Sequence, residues 1–265
     1  MSLAESMSWA DHPDLVAFYA QHRNRPEDLY PSERRFLPWL AHQGGTILDI
    51  GCAAGGFSNV WRHFQPDIHY VGVDVSAPLV DVARQFHPDL QFHQGNCADG
   101  LSFPDRYAKV VAALGWLHWE PRYAEAIQEL WRLTDRFLFF DVRLVAEPEQ
   151  IVNGKQQVAF HGAWDGKTTT PYVTVAWSAF AELLRGLQPA FIAGQGYWGK
   201  PADTVMGIDN PVCFAAFVLA KPAGGESVST PTVCVDLPFE WPAALIESVN
   251  LLPASELEQL VPKVL

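Results

Sequence analysis

A glycine-rich turn and two carboxylates are the groups best suited to chemistry in this sequence. The turn, residues 51–56, joins an apolar strand-like run to a helix-like run and carries almost no side-chain bulk. Glycines accept positive φ and let a ligand approach the backbone, and free N–H groups at a helix start favour electronegative ligand atoms. Asp49 stands just before the turn, and Asp74 ends the next strand-like run. Because a carboxylate at that place can bind a ribose diol, the pattern predicts a nucleoside-containing ligand.

The residues of the turn separate two classes of nucleoside cofactor. A dinucleotide site requires Gly-x-Gly-x-x-Gly for its pyrophosphate, whereas here Ala53 holds the middle position and Asp49 precedes the loop. A carboxylate there repels phosphate and suits a cationic ligand. A nicotinamide oxidoreductase is therefore disfavoured. It remains an alternative only if the chain binds a nicotinamide cofactor measurably.

The pattern Asp49-x-Gly51-x-Ala53-x-Gly55 resembles the first motif of class I S-adenosylmethionine-dependent methyltransferases. In that family the acid before the loop faces the methionine end of the cofactor, and the acid that ends the second strand binds the ribose. The resemblance covers residues 45–143 and, more loosely, continues to 220. It implies S-adenosylmethionine as the cofactor and methyl transfer as the reaction.

Two further segments carry the resemblance. Residues 91–99 are similar to the family's third-strand end, where Asn96 replaces an aspartate near the adenine amine, and an amide oxygen can accept the same hydrogen bond. Residues 107–119 are similar to the fourth strand and its loop, without the Asn-Pro-Pro-Tyr motif of many nucleic-acid N-methyltransferases. The cofactor contacts that the resemblance implies are Tyr19, Arg23, Asp49, Gly51, Cys52, Ala53, Gly55, Phe57, Asp74, Val75, Asn96, Cys97 and Leu114.

Strand-like and helix-like segments alternate from residue 46 to 143, which predicts an α/β fold with a doubly wound, mostly parallel sheet. The family resemblance implies seven strands and a Rossmann-like methyltransferase fold. We expect three parts: a helical lid at 1–44, a core at 45–221 with an insertion at about 144–175, and a linker with a C-terminal appendage at 222–265. The appendage is apolar enough to pack on the core or on a partner chain.

Two of these parts are expected to border the ligand. Leading helices fold over the cofactor in similar methyltransferases, so Tyr19, Arg23 and Tyr30 are candidate lid residues, with surface helices as the alternative. Asp165-Gly166 between strand-like flanks predicts a two-residue hairpin turn in the insertion. The insertion follows the fifth strand, where in family terms it forms a wall of the acceptor pocket.

Composition and charge exclude several function classes. The formal net charge is −12, with no basic stripe, so a nucleic-acid substrate is disfavoured. No apolar run approaches the roughly 20 residues that span a bilayer, and no leader-like start is present, so we expect a cytoplasmic protein without a membrane partner. The four cysteines are isolated, which opposes a zinc site and a disulfide framework, and no metal is expected.

Methyl transfer mainly requires that attacker and methyl be held in line, and a base is needed only for an acceptor that arrives protonated. His118, after the fourth strand, is the first candidate base, with an ordinary packed histidine as the alternative. His161, on the insertion, is the second. Asp141 could orient either imidazole or simply end its strand.

The predicted function is S-adenosylmethionine-dependent methyl transfer to a small organic acceptor through oxygen, nitrogen or carbon. Ten tryptophans favour a partly apolar acceptor, because Trp116, Trp119, Trp164 and Trp198 fall near the predicted active end. The alternative is a non-catalytic protein that binds S-adenosylmethionine or S-adenosylhomocysteine as a sensor or scaffold. A homodimer is possible.

Overall fold

The computed structural model describes residues 16, 18, 19, 22–146, 153–160, 163–222 and 228–259. Its helices there are α1 (Pro31–His42), α2 (Gly56–Phe64), α3 (Ala77–Phe86), α4 (Tyr123–Leu133) and α5 (Trp177–Gly186). Its strands there are β1 (Thr46–Ile50), β2 (His69–Asp74), β3 (Gln91–Gln94), β4 (Ala108–Ala113), β5 (Thr134–Val145), β6 (Asn153–Phe160), β7 (Ala163–Val173), β8 (Val175–Ala176), β9 (Phe191–Gly199), β10 (Val205–Met206), β11 (Val212–Ala220), β12 (Thr232–Asp236) and β13 (Asn250–Leu251).

The main sheet has the strand order β13-β12-β9-β11-β5-β4-β1-β2-β3, with β8 paired to β5. Strands β1 to β5 pair in parallel, whereas β11 runs antiparallel between β5 and β9. The predicted mostly parallel sheet is therefore confirmed, and its seven core strands run from β3 to β9 in this order. The strand order reverses between β1 and β4. A crevice therefore opens between these two strands, at their carboxyl ends.

The central strand shows why its sequence is apolar almost throughout. Leu48 and Ile50 of β1 belong to the core beneath α4 and α5, whereas Ile47 belongs to the core beneath α1, α2 and α3. A parallel strand covered on both faces has no solvent side, so successive residues are all buried. Helices on both faces make the sheet doubly wound, as predicted.

The C-terminal segment extends the main sheet. Strand β12 pairs in parallel with β9, and β13 pairs with β12. Trp241 packs edge-on against Trp177 of α5, with ring centroids 5.4 Å apart, and Leu257 is fully buried. This segment thus contacts the core of its own chain, while the division of the chain into three domains stays a prediction.

The insertion forms a second sheet, in which β6 pairs with both β7 and β10. The predicted hairpin turn at Asp165-Gly166 is wrong, because both residues lie within β7 and the strands already pair at Phe160 and Ala163. The pairing register shifts beside them, and Gly166 has a φ of +79°. The positive φ of this Asp-Gly pair therefore lies at an irregularity within the strand pairing and not at the hairpin turn.

Candidate functional site

A cavity of about 580 Å³ opens at the carboxyl ends of β1, β2 and β4, where the sheet topology predicts a ligand. Its volume is within the range of small-molecule sites. We call one wall the loop side, formed by Gly51, Cys52, Ala53, Asp74 and Val75. We call the other wall the hairpin side, formed by His118, Arg143, Gln156, Thr170 and Tyr172.

The loop after β1 is held by backbone hydrogen bonds and by one tryptophan. The amide of Gly51 donates to the Val73 carbonyl oxygen at 2.7 Å, which ties the loop to β2. The indole Nε1 of Trp116 donates to the Ile50 carbonyl oxygen at 2.7 Å. Gly51 has a φ of +79°, and a Cβ at this position would overlap the Trp116 ring. Only glycine satisfies both the backbone conformation and the close approach.

Asp74 ends β2 with both carboxylate oxygens held in place. Oδ2 accepts a hydrogen bond from the Ala53 amide at 2.8 Å, and Oδ1 accepts one from the Ser76 amide at 2.9 Å. Burial raises the pKa of Asp74 above its ordinary value, although these amide donors oppose the shift. The Val75 amide acts on the same carboxylate, whose two oxygens offer about four acceptor sites, so it can still accept a hydrogen bond from a diol in the cavity.

Asp49 does not lie in the cavity wall. Its Oδ2 accepts a hydrogen bond from the Tyr70 hydroxyl at 2.5 Å, and the side chain is buried. Burial raises the pKa of Asp49 to about 7. The structure thus places Asp49 behind the cavity wall with a buried partner on the neighbouring strand, and its role as a cofactor contact stays a prediction.

Arg23 covers the cavity from the segment before α1. Its Nη2 donates to Oε1 of the buried Glu33 at 2.5 Å. The guanidinium also lies over the rings of Tyr30 and Phe57, 4.6 and 4.7 Å from their centroids. A Cβ at Gly56 would overlap the backbone of this segment, so the segment rests directly on the first turn of α2. The segment expected to form a lid is thus fixed by an ion pair, and its role as a lid stays a prediction.

His118 lies in a 3-10 turn directly after β4, on the hairpin side. Its ring centroid is 5.4 Å from that of Tyr172, and its Nδ1 is buried without a hydrogen-bond partner. Burial lowers the pKa of His118 well below 6.5, and the charge of Arg143 adds to the shift. The imidazole is therefore neutral near pH 7 and a weak base.

Asp141 and Arg143 form a buried ion pair on β5. Asp141 Oδ2 accepts a hydrogen bond from Nη1 of Arg143 at 2.6 Å, and Oδ1 accepts one from the Gly115 amide. Burial alone would raise the pKa of Asp141, but the Arg143 charge keeps that pKa below its ordinary value. The guanidinium lies 4.3 Å over the Phe214 ring and borders the cavity, whereas Asp141 lies behind it.

Comparisons with known proteins agree with this architecture. Residues 47–136 match a family model described as a methyltransferase domain. The chain is 30% identical over 102 residues to a malonyl-[acyl-carrier protein] O-methyltransferase from Pectobacterium atrosepticum. This alignment covers 38% of this chain and 39% of that protein. It is 26% identical over 183 residues to a trans-aconitate 2-methyltransferase from Methylobacterium radiotolerans, which covers 68% of this chain and 64% of that protein. Residues 47–136 are thus similar to a methyltransferase domain, and the chain spans about two fifths of the length of the first two relatives it matches.

The fold of this chain is also found in solved structures. A chain from the complex between the Haloferax volcanii Trm112 methyltransferase activator and a candidate methyltransferase aligns with a TM-score of 0.51 and 16% identity. The alignment covers 82% of this chain and 98% of that chain, and it concerns the fold alone. The family resemblance and the fold class predicted from the sequence are both confirmed.

The cavity fits S-adenosylmethionine, the cofactor that the methyltransferase resemblance implies. Asp74 offers spare acceptors to a ribose diol, and the loop beside it presents backbone with little side-chain bulk. The sequence-predicted residues that border the cavity are Tyr19, Arg23, Gly51, Cys52, Ala53, Phe57, Asp74, Val75, Asn96, Cys97, Leu114 and His118. As cofactor contacts they stay predictions. For Asn96, one lone pair of Oδ1 already accepts a hydrogen bond from the Ala98 amide at 3.1 Å.

Some predicted site residues lie elsewhere in the structure. Gly55 is outside the cavity wall, because it caps α2 with a φ of +82° and packs against His87 and Phe92. Trp198 is 46% exposed and also lies outside the wall, whereas Trp116 and Trp119 border the cavity. His161 lies outside the described residues. Trp164 is expected near the active end, but its side chain is not among those that the structure describes.

Sequence reasoning missed Glu33 and Arg143. Both are buried charges, and each forms an ion pair with a partner at or beside the cavity. A charged residue inside an otherwise apolar strand, such as Arg143 in β5, is the signal that could have revealed one of them, because a buried charge needs a partner.

Proposed function

We propose that this chain catalyses S-adenosylmethionine-dependent methyl transfer to a small organic acceptor. The observation that supports the proposal is that one cavity joins the loop side, with Asp74 at a β-strand end, to a hairpin side with its own polar groups. A methyltransferase needs this arrangement, since two ligands must meet. The family cofactor supplies an electrophilic methyl group when bound.

The residues of the chain act mainly by positioning. Asp74 and the loop side would hold the nucleoside, and Arg23, fixed by Glu33, would cover it. Trp116, Trp119 and the β6–β7 hairpin exclude water from the rest of the cavity. Holding two reactants in line can contribute about 7 to 11 kcal/mol to the barrier reduction, so few catalytic groups are required.

The proposal is tested by incubating the purified chain with S-adenosylmethionine and a panel of small metabolites, and measuring release of S-adenosylhomocysteine. We expect release that depends on one acceptor class. The same samples are titrated with nicotinamide dinucleotides, which we expect not to bind. Tight binding of a dinucleotide, or no binding of S-adenosylmethionine, would reject the proposal.

One observation favours a second candidate function, a cofactor-binding protein without turnover. The neutral His118 is a weak base, and among the described hairpin-side residues it is the group whose ordinary pKa best suits proton removal. Tight binding of the cofactor with no turnover on any acceptor would favour this alternative.

Partner and location are part of the proposal. The net charge of −12 supports a small-molecule acceptor over a nucleic acid. Among the described residues, no helix is both long and apolar enough to cross a bilayer. We propose a cytoplasmic protein that can form a homodimer, and light scattering of the purified chain tests the dimer.

A further inference from the structure

Arg143 is a buried arginine with an unpartnered donor. Its Nη1 donates hydrogen bonds to Asp141 Oδ2 at 2.6 Å and to the Val142 carbonyl oxygen at 3.3 Å. Nε, on the opposite edge, is buried and has no hydrogen-bond partner. The residue is 4% exposed and borders the cavity. A buried donor left without a partner is costly, which indicates that this edge has a function.

The groups around this edge are neutral donors and acceptors. His118 borders the cavity beside it and also has an unpartnered buried atom, Nδ1. The Tyr172 side chain is hydrogen-bonded to that of Arg143, whose Nε still has no partner. Among the described residues of the cavity wall, the acids are Asp74, on the loop side, and Glu120, which pairs with Arg122. Asp141 lies behind the guanidinium, so Arg143 presents the positive charge to the cavity.

The other arginines of the wall are already engaged at more exposed places. Arg23 holds Glu33 and lies between two aromatic rings, and its side chain is 20% exposed. Arg122 pairs with Asp99 and is 31% exposed. Arg143 differs because its charge is desolvated and its fork of Nε and Nη2 is oriented by the Asp141 bond on the far edge.

We infer that the acceptor carries a carboxylate, and that the Nε edge of Arg143 binds this carboxylate as the anchoring group. The inference rests on the proposed function, because it assigns the acceptor to the hairpin side of the same cavity. The planar guanidinium fork matches a carboxylate in a bidentate manner, which an ammonium or an amide does not. A neutral His118 adds a hydrogen-bonding group without a competing negative charge.

Matched pairs of acid and amide test this inference by calorimetry on the full chain saturated with S-adenosylhomocysteine. The probes are benzoate and benzamide, phenylacetate and phenylacetamide, and octanoate and octanamide. We expect at least one acid to bind about tenfold or more tightly than its amide, the difference that a charge-assisted hydrogen bond provides. Equal binding within every pair, or no binding of any acid, would overturn the inference.

Two variants assign the preference to Arg143. The double variant Asp141→Asn with Arg143→Gln removes both charges together, so no orphan charge remains, and we expect it to lose the preference for the acid. Arg143→Lys keeps the charge without the fork, and we expect it to lose most of the preference. This second variant decides the outcome if the double variant fails to fold. A preference that persists in the folded variants would reject the role of Arg143.

A matched control separates this result from general effects of removing an ion pair. Arg106 and Asp135 form a half-exposed pair away from the cavity, with Nε and Oδ1 2.9 Å apart. The double variant Arg106→Gln with Asp135→Asn should keep the acid preference. Titration of S-adenosylhomocysteine into each variant serves as a separate readout. If the wild type does not bind S-adenosylhomocysteine, the proposed function is contradicted. If the wild type binds it normally but shows no preference for acids, only the inference is contradicted.

Discussion

The two sides of the cavity are built by different means. The loop side consists of backbone and small residues from the turn after β1 and from the end of the adjacent β2, and its acid, Asp74, is fixed by backbone amides. The hairpin side is assembled from residues 118, 143, 156, 170 and 172, which come from separate elements, and its charges are fixed by a buried ion pair. A cofactor that is shared across a family suits a local, rigid site. An acceptor that differs between family members suits a wall made by an insertion.

The largest expected effect concerns the loop side. Gly51→Ala places a Cβ into Trp116 and forces alanine to a φ of +79°. We expect a loss of about 3 kcal/mol in the free energy of unfolding, the sum of backbone strain and overpacking. Urea unfolding measures the change.

Gly115→Ala is the matched control for this variant. Gly115 has nearly the same φ, +82°, but no atom lies within 4 Å of a Cβ built there. We expect only the backbone cost, about 1 kcal/mol. Equal losses for the two variants would show that the close approach of Trp116 does not constrain the loop.

A second prediction compares the two acids at the strand ends. Asp74→Asn should weaken S-adenosylhomocysteine binding about tenfold or more, since a charge-assisted hydrogen bond contributes about 1.5 to 3 kcal/mol. It should also lose most of the preference for this ligand over its 2′-deoxy analogue. Calorimetry measures both.

Asp49→Asn is the control, because Asp49 faces Tyr70 outside the cavity wall. Its cofactor affinity should stay within about twofold of wild type, since the carboxamide oxygen keeps the Tyr70 bond. A larger loss for Asp49→Asn than for Asp74→Asn would contradict the geometry of the loop side.

The pH dependence of stability isolates Asp49. Burial raises its pKa from 3.8 to about 7 in the folded chain, so between these values the folded state binds more protons than the unfolded state. Stability from this group is therefore present at low pH and lost as pH rises towards 7. Relative to Asp49→Asn, the wild-type free energy of unfolding should fall by at most about 1.4 kcal/mol per pH unit. Parallel curves for the two proteins would show that Asp49 is ionised at all pH values tested.

The smallest expected effect is on the hairpin side. His118→Ala should lower kcat by less than about tenfold and leave cofactor affinity unchanged, because a neutral imidazole of low pKa acts as a hydrogen-bonding group. Loss of a general base costs about 100-fold to 10,000-fold. Release of S-adenosylhomocysteine with the acceptor found by screening measures the effect, and a 100-fold loss would identify His118 as the base.

The sequence predicted the loop side because a strand, a glycine-rich turn and a helix are local features. The family resemblance placed the candidate lid residues Tyr19, Arg23 and Tyr30 beside the ligand, and all three border the cavity. The sequence failed where distant pairing decides the outcome. The partner of Asp49 is Tyr70 on the adjacent strand, and the place of Asp165-Gly166 depends on the register of β6 against β7.

Arg143 shows the same limit on the hairpin side. Its sequence position within β5 gives no information on the unused Nε edge, which exists only because Asp141, two residues away, occupies the other edge. The carboxylate acceptor that we infer therefore rests on side-chain geometry and not on the motif that indicates the cofactor.

A crystal structure of the chain with S-adenosylhomocysteine tests the central claim most directly. The account predicts the nucleoside on the loop side, with each oxygen of Asp74 within about 3.2 Å of a ribose hydroxyl. The sulfur should point towards the hairpin side. A ribose bound away from Asp74, or a ligand that leaves the loop side empty, would contradict it.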